Sequence, residues 1–232
     1  MARTARIVVP GYPFHIVHRG NHRKPVFYSD ADRQVYLRLL LTEARRYGLE
    51  IWAYCLMLNH IHLLGVPLDA EALADAIGNT HRAYARYIHE SRGWTGHLWA
   101  NRFRSSLLDE QYLWDAVRYV ENNPVRAKLV ERAELYPWSS AAAHSFGKHD
   151  ALLSNARPFP GHVPDWSAWL AEPIPTELID TIRRNTRTGR PTIDDALTAE
   201  LERVVGRRLR PQRPGRKPKS EIGMTSPNFR AR

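Results

Sequence analysis

The sequence predicts an α+β fold of the ferredoxin-like kind, in which an antiparallel sheet carries helices on one face. Short segments rich in β-branched and aromatic residues alternate with longer segments of helical periodicity. These segments follow one another in the order β-α-β-β-α-β-α, which is close to the ferredoxin-like plan. The chain has 232 residues, of which 43% are hydrophobic, so it is long enough to bury one sizeable core.

Four segments have the composition of strands. They are FHIVHRG (14–20), IWAYCLM (51–57), HIHLLGV (60–66) and NRFRSSLLD (101–109). Helical periodicity occupies the gaps between them. The first helix is predicted from about Asp30 to Tyr47, and the second from about Asp69 to Glu90.

A third helix is predicted after Asp109, and it ends near Pro124 because the proline ring disfavours helical geometry in the residue before it. Beyond PWSS (137–140) the sequence becomes rich in proline and loses its periodicity. We therefore expect one domain, large enough to carry a catalytic site, over residues 1–150. Residues 151–232 are expected to form a Pro-rich linker, short helices and a basic, partly disordered tail.

The charge balance indicates a polyanionic partner. Lys and Arg number 34 against 24 Asp and Glu, which gives a formal net charge of +10. Nucleic acid is therefore the first partner to consider. A membrane is not expected, because no apolar run approaches the length that spans a bilayer. The first residues carry no secretion-signal pattern, and Cys55 is the only cysteine, so we expect a cytoplasmic protein.

The most specific local pattern is His60-Ile61-His62. Side chains two apart in a strand project from the same face, so two imidazoles point together and could hold a divalent metal ion. The alternative is a chance pair on the surface. His15 and His18 are three apart and project to opposite faces of their strand, so at most one of them faces such a site.

A second pattern lies in the third predicted helix. Tyr119 and Asn123 are four residues apart, at the margin of an apolar stripe, so both could reach toward one point. In isolation, Tyr119 is also explained as a packing tyrosine, and Asn123 as the N-cap of a helix that begins at Pro124.

Several motifs together resemble a known family. MLNHIHLL, then WANRFRSSLLDEQYLWDAVRYVENNPVRAKLV, then PWSS occur in an order and spacing similar to those of REP-associated tyrosine transposases, a branch of the insertion-sequence HUH transposases. The resemblance covers roughly residues 6–146. It implies the HUH endonuclease core and a metal-dependent enzyme that nicks and joins single-stranded, hairpin-containing DNA. Leu58 departs from the proline that is common before Asn-His in relatives.

The resemblance also implies roles for individual residues. It makes His60 and His62 metal ligands, Tyr119 the nucleophile that forms a 5′-phosphotyrosine, and Asn123 a further polar ligand. The cofactor is expected to be Mg²⁺ or Mn²⁺, which are hard ions suited to phosphate chemistry. REP-associated relatives favour a monomer over a homodimer.

Basic residues interleaved with aromatic ones suggest where DNA would lie, because positive charge follows phosphates and rings stack on unpaired bases. Two sets are predicted, one in the first domain and one in a C-terminal arm similar to a minor-groove insert. They are Arg19, Arg23, Lys24, Arg102 and Arg104, and then Arg190, Arg216 and Lys217. The alternative for the arm is a disordered tail that binds any polyanion. DNA binding also predicts association with the nucleoid.

Two other functions remain open on the sequence. The first is a domesticated DNA-binding protein without catalysis. The second is a metal-dependent hydrolase in which the histidine pair activates water and Tyr119 is dispensable.

Overall fold

A computed structural model describes residues 6–154, 163–206 and 208–210 of the chain. Its four strands are β1 (Phe14–Arg19), β2 (Leu49–Met57), β3 (His60–Pro67) and β4 (Arg104–Leu107). They form one sheet in the order β2-β3-β1-β4, and every neighbouring pair is antiparallel. The predicted α+β class and antiparallel sheet are confirmed.

The helices also follow the predicted order. They are α1 (Asp30–Arg46), α2 (Ala72–Arg92), α3 (Glu110–Glu121), α4 (Asn123–Arg126), α5 (Ala141–Phe146), α6 (Trp166–Ala171), α7 (Thr176–Thr188) and α8 (Asp195–Val205). Helix α2 begins later than predicted, because the Asp69 carboxylate accepts hydrogen bonds from the backbone N–H groups of Glu71 and Ala72. No helix in the described residues is long and apolar enough to cross a membrane.

Helices cover both faces of the sheet, whereas the sequence predicted them on one. Helices α1 and α2 share a core with Ile61 and Leu63 of β3. Helix α3 packs on the opposite face against Leu64, together with residues of α5, α6 and α7. The physical reason lies in β2, whose residues from Ile51 to Met57 are all buried. A strand that is apolar on both sides needs a layer of structure on each face.

The segment beyond residue 150 packs onto the sheet. Trp166 and Leu170 of α6 and Ile182 of α7 join the core that α3 forms. The backbone N–H of Thr192 donates to the Leu107 carbonyl at the end of β4 over 2.7 Å. The short helices expected in this segment include α7 and α8. A domain division near residue 150 stays a prediction.

A buried carboxylate fixes the end of α3. Glu121 is fully buried and accepts hydrogen bonds from Trp166 Nε1 at 2.8 Å and from Ser140 Oγ, and its Oε1 lies 2.6 Å from His144 Nδ1. Ser140 belongs to the PWSS segment, and its backbone N–H donates to the Tyr54 carbonyl of β2. The last turn of α3 is therefore held against the edge of the sheet by several directed bonds.

Candidate active site

The two histidines of the predicted pair lie on the face of the sheet that α3 covers. Their ring centroids are 5.0 Å apart. Ile61 between them is fully buried in the opposite core, so the strand cannot rotate without exposing it. The alternation of β3 thus presents both imidazoles to one cleft.

Helix α3 brings Tyr119 to the same place. The Tyr119 ring lies edge-on to His62 with centroids 5.6 Å apart, and its side chain is largely buried. The apolar stripe of α3 faces the sheet, and Tyr119 stands at the edge of that stripe. His60, His62 and Tyr119 therefore line one cleft of about 680 Å³, although 57 residues separate His62 from Tyr119 in the chain.

Asn123 also lines this cleft, as the first residue of α4. The cap position expected for it belongs to Asn122, whose side-chain amide donates to the Leu170 carbonyl over 2.7 Å. The Nδ2 atom of Asn123 is buried and has no hydrogen-bond partner among the described residues. A buried amide without a protein partner is costly, so this group is suited to a ligand in the cleft.

His60 has a defined tautomer. Its Nδ1 lies 2.7 Å from the Asn59 side-chain oxygen, and the amide nitrogen of Asn59 donates to the Arg23 carbonyl over 2.9 Å. The second bond fixes which end of the amide is the oxygen, so Nδ1 of His60 must carry the proton. Its Nε2 keeps the lone pair that a metal ion requires.

His62 is held by a chain of two hydrogen bonds. Its Nδ1 lies 2.9 Å from Nε2 of His15, and Nδ1 of His15 lies 2.8 Å from Oγ1 of Thr186 in α7. The rings of His15 and His62 are stacked nearly parallel. Of the two histidines in β1, His15 is therefore the site neighbour, while His18 contacts His81 on the other face.

All three site imidazoles are neutral at neutral pH. Burial, followed by the charge of Arg126, lowers the pKa of His15 to about 3. Burial, followed by the charge of Arg19, lowers the pKa of His60 to about 4. Burial and its two histidine neighbours hold the pKa of His62 well below the ordinary value. The neutral form is the one that binds a metal.

Two arginines contact Tyr119. The Arg126 guanidinium lies over its ring at 4.2 Å and donates to its backbone carbonyl over 2.7 Å. Nε of Arg183, in α7, donates to the Tyr119 hydroxyl over 3.4 Å. Sequence reasoning missed both arginines and Thr186. Arg126 follows Asn123 by less than one helical turn, and this spacing was the one sequence signal that could have placed it near the site. No sequence signal indicated that α7, which carries Arg183 and Thr186, packs beside the site.

The predicted DNA-binding residues separate into four groups. Arg19, Arg23, Arg102 and Arg104 line the cleft, whereas exposed Lys24 does not. Arg190 lies in a second, neighbouring groove. Arg216 and Lys217 lie outside the described residues.

The segment Gly189-Arg190-Pro191 was expected to belong to a flexible arm, but it forms a fixed turn. The Arg190 carbonyl accepts a hydrogen bond from Ser106 Oγ over 2.6 Å, and the Pro191 carbonyl accepts one from the Asn185 amide over 3.1 Å.

The donors present fit a divalent ion that is also bound by substrate and water. Nε2 of His60 has a free lone pair, Nε2 of His62 has one when its Nδ1 donates to His15, and Asn123 supplies an amide. No group of three or more His, Cys, Asp or Glu is arranged for a metal in the described ranges. A site with few protein ligands leaves open positions for a phosphate oxygen, as catalytic metal sites do.

Comparison with known proteins identifies the family. The sequence model of the family described as IS200-like transposases matches residues 8–123, which is half of the chain and contains β1 through α3. The chain belongs to the IS200-like transposase family. The resemblance inferred from the motifs is thereby confirmed, and a DNA-processing role follows from membership of this transposase family.

One solved structure shows the same fold, and a second gives a weaker match. A structure of a REP-associated tyrosine transposase bound to a REP hairpin aligns with 76% of this transposase and 100% of its own chain, at 19% identity and a TM-score of 0.51. A crystal structure of a candidate transposase from Deinococcus radiodurans R1 aligns with 52% of this chain and 97% of its own, at 21% identity and a TM-score of 0.37. No curated protein matches significantly in sequence.

Proposed function

We propose that this transposase is a metal-dependent, single-stranded DNA endonuclease and strand transferase that uses Tyr119 as its nucleophile. The observation that carries the proposal is the convergence of His60, His62 and Tyr119 in one arginine-lined cleft. A histidine pair that can offer both Nε2 lone pairs, beside a buried tyrosine, suits phosphodiester cleavage by a side chain.

His60 and His62 would hold Mg²⁺ or Mn²⁺ through their Nε2 atoms, with Asn123 as a further polar ligand. When bound, the ion withdraws electron density from the scissile phosphate and offsets the charge that develops during attack. The hydrogen bonds that His60 donates to Asn59 and that His62 makes with His15 orient the two imidazoles before the ion arrives.

Tyr119 performs the covalent step. Its oxygen forms a bond to phosphorus, the bond from phosphorus to the 3′ oxygen breaks, and the proton lost by the phenol balances the one that the released 3′-hydroxyl gains. Arg183 donates to the phenol oxygen, so it stabilises negative charge there as the proton departs. The resulting 5′-phosphotyrosine keeps a phosphodiester, and attack by another 3′-hydroxyl reverses the step and joins strands.

Hairpin-containing DNA of the REP type is the substrate that we propose. The REP-associated transposase of the same fold is bound to a REP hairpin. Four of the arginines predicted to bind DNA line this cleft. They supply positive charge for the phosphates next to the cleaved bond.

We also propose that the protein acts as a monomer associated with the nucleoid. Tyr119 reaches His62 within one chain, whereas a dimer that shares its sites would place the tyrosine of one chain beside the histidines of the other. Light scattering coupled to gel filtration tests this, and a mass of two chains in the presence of DNA would contradict it.

The decisive experiment compares wild type with Tyr119→Phe on labelled hairpin DNA that carries single-stranded flanks, with Mg²⁺ or Mn²⁺. Wild type is expected to give a cleaved strand and a covalent protein–DNA band on a denaturing gel, and the variant neither. Full cleavage by Tyr119→Phe would support the water-activating hydrolase instead. Binding without cleavage by either protein, with both metals, would support a domesticated DNA-binding protein.

A further inference from the structure

A second groove, of about 1040 Å³, lies beside the site cleft where β4 meets α7 and the chain after α8. We call it the arginine groove, because seven of its lining residues are arginines. They are Arg6, Arg102, Arg104, Arg187, Arg190, Arg208 and Arg210. The family match at residues 8–123 contains only two of these seven, so most of the groove is built by parts of the chain outside it.

The charge of this groove is poorly compensated. None of its lining residues is acidic, and of the seven arginines only Arg210 takes part in an ion pair among the described residues, with Asp195 at 3.8 Å. The charge of Arg102 adds to the effect of burial in lowering the pKa of Arg6 to about 10, so these cations repel one another. Keeping like charges together costs free energy, which a bound polyanion would offset.

The arginine groove is continuous with the site cleft. Four residues line both cavities: Asn101, Arg102, Arg104 and Arg187. Arg104 Nη1 also donates to the Arg187 carbonyl over 3.0 Å, which fixes β4 to the end of α7 at their junction. A DNA strand whose phosphate reaches Tyr119 can therefore continue into the groove along the protein surface.

The groove also offers a flat surface for an unpaired base. The Arg6 guanidinium lies over the Phe103 ring, 3.6 Å from its centroid, and its Nη2 donates to the Phe103 carbonyl over 2.9 Å. The planar cation is thus held in one orientation. Bases of single strands stack on aromatic rings and on guanidinium planes, whereas paired bases in a duplex are already stacked.

We propose that the arginine groove binds the single-stranded DNA segment that adjoins the cleaved phosphate, and this rests on the proposed function. The groove follows the phosphates of the flank, while the stem of the hairpin lies elsewhere on the protein. Arg190, Arg208 and Arg210 then bind substrate without touching the reacting atoms, because they line the groove and not the site cleft.

The test measures DNA affinity by fluorescence anisotropy in the uncleaving Tyr119→Phe background, without added metal. One probe is a hairpin with single-stranded flanks, and the other is the same hairpin without them. The test variant is Arg190→Gln with Arg208→Gln. The matched control is Arg38→Gln with Arg86→Gln, which removes the same charge from exposed positions of α1 and α2 on the opposite face of the sheet.

For the flanked hairpin, the test variant should bind more weakly than the control. The slope of log affinity against log salt should become shallower by roughly 0.7 for each phosphate that an arginine no longer neutralises, or about 1.4 for two. For the hairpin without flanks, the test and control variants should bind alike.

Equal salt slopes for test and control on the flanked probe would overturn the proposal, as would an equal weakening on both probes, which would place the stem in the groove. If wild type forms the covalent band while the groove variants bind normally, only the groove proposal fails. If the parent binds neither hairpin, the proposed function fails and the groove proposal falls with it.

Discussion

Replacing Thr186 by valine should weaken metal binding, although Thr186 is not one of the proposed metal ligands. Thr186 Oγ1 lies 2.8 Å from Nδ1 of His15, whose Nε2 lies 2.9 Å from Nδ1 of His62. Two proton arrangements satisfy this chain. His62 can donate to His15, which donates to Thr186, or Thr186 can donate to His15, which donates to His62. Only the first leaves Nε2 of His62 free of a proton, so metal binding selects it.

The magnitude follows from burial. His15 and Thr186 are 1% and 4% exposed, so water cannot readily replace the missing hydroxyl. In Thr186→Val, the proton arrangement that binds metal leaves the buried Nδ1–H group of His15 without an acceptor. An unpaired buried group of this kind costs about 1–3 kcal/mol. The metal-free protein can move the proton to the other nitrogen of His15, which leaves the lone pair of Nδ1 unpaired in place of the N–H. Metal affinity should therefore fall by the difference between these two costs, which is at most about 150-fold since about 1.4 kcal/mol is tenfold.

Titration calorimetry with Mn²⁺ measures the affinity directly, and ¹⁵N NMR of the histidine side chains reports which nitrogen of His62 carries the proton without any metal. Thr186→Ser keeps the hydroxyl and is the matched control, so it should bind Mn²⁺ like wild type. The reasoning is refuted if valine and serine at this position give the same affinity, or if the proton of His62 stays on Nδ1 in the valine variant.

Two further predictions concern the nucleophile and acid stability. Arg183→Gln should slow cleavage at saturating DNA by about tenfold. This is less than the ~10² or more expected for loss of a donor at ideal distance, because the contact to the Tyr119 hydroxyl is long at 3.4 Å. An unchanged single-turnover rate would contradict this. Burial lowers the pKa of His18 from 6.5 to about 4, although hydrogen bonds to the backbone of Ala100 and Asn101 act in the opposite direction. Above pH 6.5 this residue is neutral in both states, but below it the unfolded chain takes up a proton that the fold does not. As the pH falls from 6.5 to 4, this group should thus lower the free energy of unfolding by about 1.4 kcal/mol per pH unit. Urea titrations at several pH values should show that the free energy of unfolding depends less steeply on pH in His18→Gln than in wild type.

The convergence of His60, His62 and Tyr119 in one cleft could be predicted because local periodicity places these side chains. A strand presents His60 and His62 to one face, and the margin of an apolar helix presents Tyr119 to the same side. The choice between His15 and His18 needed the register of β1 on β3, which pairs Val17 with His62 and so places His15 on that face. No local pattern contains a register between strands that are more than 40 residues apart.

The second layer of helices was missed for a different reason. The run IWAYCLM is apolar at every position, which is compatible with a strand covered on both faces, but periodicity alone does not show what covers it. The cover includes Trp166 and Ile182, from the segment that reads as linker and short helices. Thr186 meets His15 across 171 residues of sequence, and only the tertiary fold brings them together.

The two halves of the proposed reaction centre are positioned by separate networks. Tyr119 stands on α3, whose last residue Glu121 is fixed by buried bonds to Ser140, His144 and Trp166. His62 stands on β3 and is oriented through His15 from α7. Because each network restrains its own element, the distance between the proposed nucleophile and the proposed metal ligands is set before DNA binds, which would lower the cost of reaching a reactive geometry. Both networks use residues beyond Asn123, where the family match ends, so the later part of this chain supports the site that we propose in the earlier part.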